Sequence, residues 1–350
     1  MTIDERVKCL LETAKVVGKI LLVDNESSLN SGSEKKLYSA IFSVQYKNSW
    51  FSEWSVRNAL NGIVKMLNEN DLLEFLATYY QRISDKKEVN NVGIVMAGNI
   101  PLVGFHDFVC VFLAGDVAKV KLSSEDDVLF PLILNIMMEI NLMVSNSCVI
   151  QDAKLSDINK VIATGSSNTA RYFEYYFSKY PNVIRKSRTS IGIVNKEDTD
   201  KDFLSLANDL FYYYGMGCRN VSKLYFPQGF DVVHFIDVLR TFDNHLDNTK
   251  YINNLDYNKS ILLINSTPFL DAGFFFLKED ESLFSPVSII NYEFYNDKQT
   301  VYDSIKKNEN SIQCVVSSQN EYGVKPGQAQ FPKLWDYADN VDVMAFLLAD

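Results

Sequence analysis

From Asn91 onward the chain falls into short β-branched runs separated by stretches long enough to be helices. That alternation is the sequence signature of a parallel α/β sheet, because parallel neighbours need a crossover of a dozen or more residues and helices supply it. The runs lie at 92–96, 117–121, 148–150, 160–163 and 183–185, and helical spacing fills 102–114, 126–144 and 168–179. A second block of the same texture opens with SIGIVN at Ser190. It predicts strands over 221–226, 273–277, 287–293 and 312–316, and helices over 202–213, 231–246, 258–265 and 300–307. The first ninety residues differ: Val7, Leu10, Leu11, Ala14, Val17 and Leu21 recur at helical spacing, and 55–83 repeats the pattern around a break near 68–70.

At 350 residues the chain exceeds what one hydrophobic core usually serves, so two domains are expected. The reading divides it into N-terminal helices with a dinucleotide-binding domain over 1–188, a catalytic cysteine domain over 189–322, and a tail over 323–350 that packs back on the body or on a partner subunit. Lys and Arg number 34 against 44 Asp and Glu, a net charge of −10 that repels phosphate backbones, so nucleic acid is not an expected partner. The five cysteines are scattered without a C-x-x-C pair and there are only 3 histidines, which speaks against structural zinc and against a disulfide framework; no metal is expected. The N-terminus lacks the basic start and apolar run of a signal peptide, and the greasiest stretch, 128–144, is interrupted by Asn135, Glu139 and Asn141. No membrane span is expected, and a reducing cytoplasm is the expected compartment.

Three segments carry candidate chemistry. GMGCRNVSKLYF sets Cys218 between glycines and a β-type run, on a turn a substrate can reach and where backbone N–H groups can stabilise an oxyanion. An isolated cysteine is more often an inert small hydrophobe. MAGNIPLVGFHDF puts Asn99 in a turn at the C-terminal end of a strand, the edge where open α/β sheets bind ligands. KVIATGSSNTARYF places Gly165, Ser166 and Ser167 where a helix N-terminus can meet phosphate, although one glycine ahead of a helix is equally a plain cap. The G-x-G-x-x-G dinucleotide fingerprint is absent, so any nucleotide must be held by a different loop.

Read in order, GNIPL, AGDVAKVKLSSE, ATGSSNTA and GMGC resemble four landmarks of aldehyde dehydrogenases: the P-W-N-x-P oxyanion turn, the V-x-K-P-S-E strand, the F-T-G-S turn and the G-x-x-C nucleophile. GNIPLVGFHDF, the TGSSNTARYFEYYF stretch and the ending FPKLWDYADNVDVMAFL are more closely similar to the LuxC-like acyl-CoA reductases, the branch that includes the bacterial luminescence fatty acid reductase. The resemblance covers residues 90–350. It implies an α/β, aldehyde dehydrogenase-like fold with a Rossmann-type cofactor domain and an α/β catalytic domain.

The resemblance implies Cys218 as nucleophile and Asn99 as the side chain that joins the Cys218 N–H at the oxyanion. Lys121 matches the lysine that binds the adenine ribose. Three residues on, NAD-preferring relatives usually carry a glutamate; here Ser124 follows Ser123, a pair of hydroxyls near a cation that favours the 2′-phosphate of NADPH. A surface lysine beside a loop serine pair is the plainer alternative, because Glu125 comes next. Gly165 and Ser166 match the phosphate turn. Phe284 in ESLFSPV matches the phenylalanine of the E-x-F-G-P-V segment that meets the nicotinamide ribose, with Ser282 in the glutamate position and Glu281 beside it.

The departures also carry meaning. Oxidising relatives hold a general-base glutamate in an E-L-G-G turn about thirty residues before the cysteine; counting back, 218 − 185 = 33 reaches Arg185, with no carboxylate in the turn. Without that base, water attack on a thioester is poorly supported and exchange with a thiol such as coenzyme A is favoured. The expected activity is therefore NADPH-dependent reduction of acyl-CoA, or of an acyl-protein donor, to aldehyde. Two rivals are an acyltransferase or thioesterase using the same acyl-cysteine, and an inactive interaction subunit that binds an acyl-protein synthetase; a homo-oligomer is also open. Arg185, Lys186 and Arg188 form a basic run that either grips phosphates or is solvated, while His106, His234 and His245 read mainly as packed or solvated helix histidines.

Overall fold

The computed structural model describes residues 1–319 and 323–349, with the backbone alone for Asn244 and His245. The chain divides into two compact units, Met1–Ser187 with Pro332–Asp350, and Arg188–Phe331.

The first unit opens with helices α1 (Ile3–Leu22), α2 (Gly32–Ser43), α3 (Glu53–Met66) and α4 (Glu69–Asp85). Thr2 and Glu5 form a capping box on α1, and the Asn68 side chain accepts from Asp71 N to start α4, which is the break expected near 68–70. The α1 face buries Leu10, Ala14 and Val17 as their spacing predicts, with Cys9 and Ile20 added to the stripe. Next come β1 (Asn91–Val95), α5 (Phe105–Ala114), β2 (Val117–Lys121), α6 (Leu129–Ile140), β3 (Cys148–Ile150), β4 (Lys160–Thr164), α7 (Ser167–Tyr176) and β5 (Asn182–Arg185). Among the described residues these strands form a five-stranded sheet in the order β3-β2-β1-β4-β5, with every pair parallel. The strand order reverses at β1, which creates the crevice between β1 and β4 where doubly wound sheets bind nucleotides. Helix α5, FHDFVCVFLA, is apolar nearly all round and nearly all buried, as an enclosed helix must be.

Two helices here start later than their patterns predict. The helix expected over 102–114 begins at Phe105, because Leu102 adopts a left-handed backbone with φ 62°. The helix expected over 126–144 is α6 followed by a tight turn at 142–146; Asp126 is drawn into the preceding loop, where it accepts Leu102 N at 2.7 Å. The tail belongs to this unit. Its short helix α12 (Val343–Leu347) buries Val343, Met344 and Leu347, and the Lys160 ammonium donates to the Phe346 and Leu347 carbonyls at 3.2 and 3.1 Å, a cation at a helix C-terminus.

The second unit runs β6 (Thr189–Ile193), α8 (Asp200–Phe211), β7 (Val221–Pro227), α9 (Val232–Leu239), α10 (Thr249–Ile264), β8 (Leu270–Asp271), β9 (Phe276–Glu279), β10 (Ile289–Tyr295), α11 (Lys298–Lys307) and β11 (Ile312–Ser317). Its sheet follows the order β11-β6-β7-β10-β9-β8, parallel except for the β8–β9 pair. The helix expected over 202–213 ends at Phe211, because Tyr213, Tyr214 and Gly215 are three successive left-handed residues with φ of 54°, 58° and 75°. Helix α10 reaches back well before the expected 258, because the Asn248 side chain caps it at Lys250 N and Tyr251 N. The strand expected at 273–277 becomes a hairpin, with Gly273 at φ 91° turning β8 into β9. Among the described residues no helix is long and apolar enough to cross a membrane.

Candidate active site

The candidate residues fall in both units, Asn99, Lys121, Ser123, Ser124, Gly165 and Ser166 in the first, and Cys218 and Phe284 in the second.

In the first unit they gather along the C-terminal edge of the parallel sheet. Asn99 is exposed in the turn after β1. The residue before it, Gly98, has no room for a side chain: a Cβ there would lie 2.6 Å from the Ser123 Oγ and 3.0 Å from the Glu125 Cβ. The turn after β1 therefore rests directly against the loop after β2. Gly104 is equally constrained, with a Cβ falling 2.3 Å from the Met96 side chain. Asp126 completes the tie through Leu102 N, and burial pushes its carboxyl up to about 6. Lys121 ends β2 and donates to the Asp152 carbonyl; Ser123 is half-buried and accepts Glu125 N at 3.2 Å, and Ser124 is exposed. In the turn after β4, Gly165 lies so close to Thr169 and Phe173 that a Cβ would meet them at 3.1 and 3.0 Å, while the Ser166 hydroxyl accepts Thr169 N at 3.2 Å to cap α7.

These residues could hold the phosphates of a nucleotide. A glycine turn leads into a helix N-terminus at the switch point of the sheet, and a cation with two hydroxyls stands at the end of β2.

In the second unit Cys218 is exposed, whereas Cys9, Cys110 and Cys148 are buried and Cys314 is half-buried. Burial pushes the thiols of Cys9 and Cys314 up to about 11 and that of Cys148 up to about 12, which leaves them poor nucleophiles near neutrality. The turn carrying Cys218 is stapled by Asn220, a residue the sequence did not single out. Asn220 is 1% exposed; its Nδ2 donates to the Asp209 and Tyr212 carbonyls at 3.0 and 2.8 Å, and its Oδ1 accepts Gly217 N at 2.8 Å. Ser190 Oγ donates to the Cys218 carbonyl at 3.0 Å and also contacts the Cys314 sulfur at 3.1 Å. Left-handed tyrosines cost roughly 1–2 kcal/mol each. Tyr213 and Tyr214 hold that conformation because both are buried, with the Tyr214 ring 5.8 Å from that of Tyr251. Asp209 accepts Gly327 N and Ala329 N at 2.6 and 3.0 Å, fastening the distant 327–329 segment to the end of α8. Phe284 is 49% exposed on the loop between β9 and β10.

Within the basic run Arg185 is committed to the interior. Arg185 is 5% exposed and meets both oxygens of Asp107 at 2.5 and 2.7 Å; Lys186 pairs with Glu174 at 2.7 Å, and Arg188 donates to the Glu309 and Ile312 carbonyls. His106 is packed: its Nε2 lies 2.9 Å from the Leu334 carbonyl and its ring meets Tyr337 edge-on, both on the tail segment of the same unit. His234 is exposed and paired with Asp200 at 2.7 Å, and the His245 side chain lies outside the described residues. Among the described residues no group of three or more His, Cys, Asp or Glu could hold a metal.

Solved structures share this architecture over most of the chain, and they define it as the aldehyde dehydrogenase fold. Aldehyde dehydrogenase 21 from Physcomitrella patens, solved in complex with the reaction product succinate, is 13% identical over 91% of this chain and 73% of its own, with a TM-score of 0.63. The Bacillus cereus aldehyde dehydrogenase in complex with NAD+ is 11% identical over 91% of this chain and 72% of its own, with a TM-score of 0.59. The Mycobacterium tuberculosis enzyme complexed with NAD+ is 14% identical over 89% and 74%, with a TM-score of 0.55. No protein-family model matches the sequence. None of the curated proteins matches it either.

Proposed function

We propose that this chain is an NADPH-dependent oxidoreductase of the LuxC-like type that reduces acyl-CoA, or an acyl group delivered by a partner protein, to an aldehyde through a thioester on Cys218. The observation that carries the reading is Cys218 itself, the exposed cysteine, held on a turn that buried Asn220 staples and preceded by the left-handed Tyr213 and Tyr214. Strained backbone that persists because its surroundings over-determine it is a frequent mark of functional sites.

In this reading the Cys218 thiolate attacks the acyl carbonyl. The Asn99 amide and the Cys218 N–H donate to the tetrahedral oxyanion, a preorganised donor being worth about 10²–10³ in rate. The C–S bond to coenzyme A then breaks, coenzyme A leaves as its thiolate, and the acyl group remains on Cys218. When bound, NADPH would supply the hydride that reduces this thioester to a thiohemiacetal alkoxide on Cys218. Collapse of the thiohemiacetal re-forms the Cys218 thiolate and releases the aldehyde. Lys121, Ser123 and Ser124 hold the adenosine end of the cofactor with its 2′-phosphate, Gly165 and Ser166 its pyrophosphate, and Phe284 its nicotinamide ribose. By sequence count Arg185 takes the position where oxidising relatives carry their base, and, paired with Asp107, it supplies no carboxylate to activate water. An exposed thiol nucleophile suits a reducing cytoplasm.

Mass spectrometry after exposure to acyl-CoA tests the reading. A single acyl adduct on the peptide containing Cys218 is expected, and an unmodified Cys218 under conditions that leave the protein folded would overturn it.

A further inference from the structure

The loop at 280–285 carries Phe284 outward and has its carbonyls tied inward by side chains from two strands. Asn291 on β10 is 3% exposed, and its Nδ2 donates to the Ser282 and Phe284 carbonyls at 2.9 and 3.1 Å. Lys223 on β7 is fully buried; it donates to the Asp280 carbonyl and pairs with Glu293 at 2.6 Å. Ser222, beside it, donates to the Leu283 carbonyl. Buried amide and ammonium groups are expensive unless fully bonded, so committing them to one surface loop fixes that loop strongly.

The same strand leads back to the nucleophile. Ser222 and Lys223 lie four and five residues beyond Cys218, at the start of β7. The Ser222 hydroxyl is 2.6 Å from that of Thr189, which donates to the carbonyl of Asn220, the residue that staples the Cys218 turn.

We infer that Asn291, with Lys223 and Ser222, is a positioning residue for the hydride step: it clamps the 280–285 loop so that Phe284 meets the nicotinamide end of the cofactor in register with acyl-Cys218. This rests on the function proposed above. It separates the two half-reactions, because the clamp holds the cofactor loop while Asn220 and Ser190 hold the cysteine turn. Loss of the clamp therefore weakens NADPH use and leaves acylation intact.

The test compares Asn291→Leu and the milder Ser222→Ala with the wild-type chain, using acyl-CoA and NADPH as probes. Acylation of Cys218 is followed by mass spectrometry without cofactor, and reduction of the pre-acylated enzyme by NADPH absorbance in a single turnover. For Asn291→Leu, NADPH KM should rise at least fivefold and reduction slow at least tenfold, with acylation within twofold of wild type; Ser222→Ala should shift the same parameters in the same direction by a smaller factor. Unchanged reduction in the folded variants would overturn the inference, and so would an equal fall in acylation and reduction, which marks a merely structural role. If Asn291→Leu does not fold, Ser222→Ala decides. A wild-type chain that is acylated and reduces the acyl group while both variants match it overturns the clamp alone; a wild-type chain that does neither overturns the proposed function and the clamp with it.

Discussion

The Arg185 guanidinium and the Asp107 carboxylate form a two-pronged ion pair at 2.5 and 2.7 Å, both side chains almost wholly buried in the first unit. Burial opposes ionisation of Asp107, and Arg185 and His106 outweigh it, taking the carboxyl from its ordinary 3.8 down to about 2. Removing one partner from such a pair strands a buried charge. Asp107→Asn should destabilise the chain by about 3–5 kcal/mol in urea unfolding, whereas the double replacement Asp107→Leu with Arg185→Met should recover most of the loss. Because the folded carboxyl titrates below the unfolded one, its contribution is present above pH 3.8 and is lost as pH falls through about 2. Unfolding midpoints measured across that window should fall more steeply in wild type than in the double variant.

Replacement of the nucleophile gives the simplest outcome. Cys218→Ala should abolish both the acyl adduct and aldehyde formation while leaving NADPH binding, followed by nucleotide fluorescence, largely as it was. Substantial reductase activity in this variant would remove Cys218 from the mechanism.

Asn220 tests the staple. Asn220→Ala leaves the Asp209 and Tyr212 carbonyls and Gly217 N without their partner, at about 1–3 kcal/mol for each buried group left unsatisfied. The expected result is a lowered unfolding midpoint together with Cys218 acylation slowed at least tenfold. Normal acylation would mean that the turn holds its shape without Asn220.

The proposed cofactor choice is tested at the exposed Ser124. Ser124→Glu places a carboxylate where the 2′-phosphate is proposed to sit, so the ratio of kcat/KM for NADPH over NADH should fall at least tenfold. A ratio that does not move toward NADH would contradict the assignment of Lys121, Ser123 and Ser124.

The parallel sheet was legible because its β-branched runs are short and sharply punctuated: β2 falls on the predicted 117–121, and β1 and β4 differ from prediction by a residue at their ends. The Cys218 turn was legible from its glycines. Tyr213 and Tyr214 were not, because nothing in an aromatic side chain signals a left-handed backbone, which the packing of the second unit imposes. Arg185 read as part of an exposed basic run because its partner Asp107 lies 78 residues away in sequence and is brought to it only by the fold. Asn220 and Asn291 were missed for the same reason: an asparagine's burial is a tertiary fact, and in sequence both resemble ordinary turn or strand polar residues.

That acyl-Cys218 accepts hydride and not water is the core of the proposed function. It is tested most directly by a single turnover on enzyme pre-acylated with acyl-CoA and freed of excess donor. The thioester should persist without cofactor and convert mainly to aldehyde when NADPH is added. Rapid release of free carboxylic acid in the absence of NADPH would contradict it, and would mean that a base other than the missing glutamate activates water at Cys218.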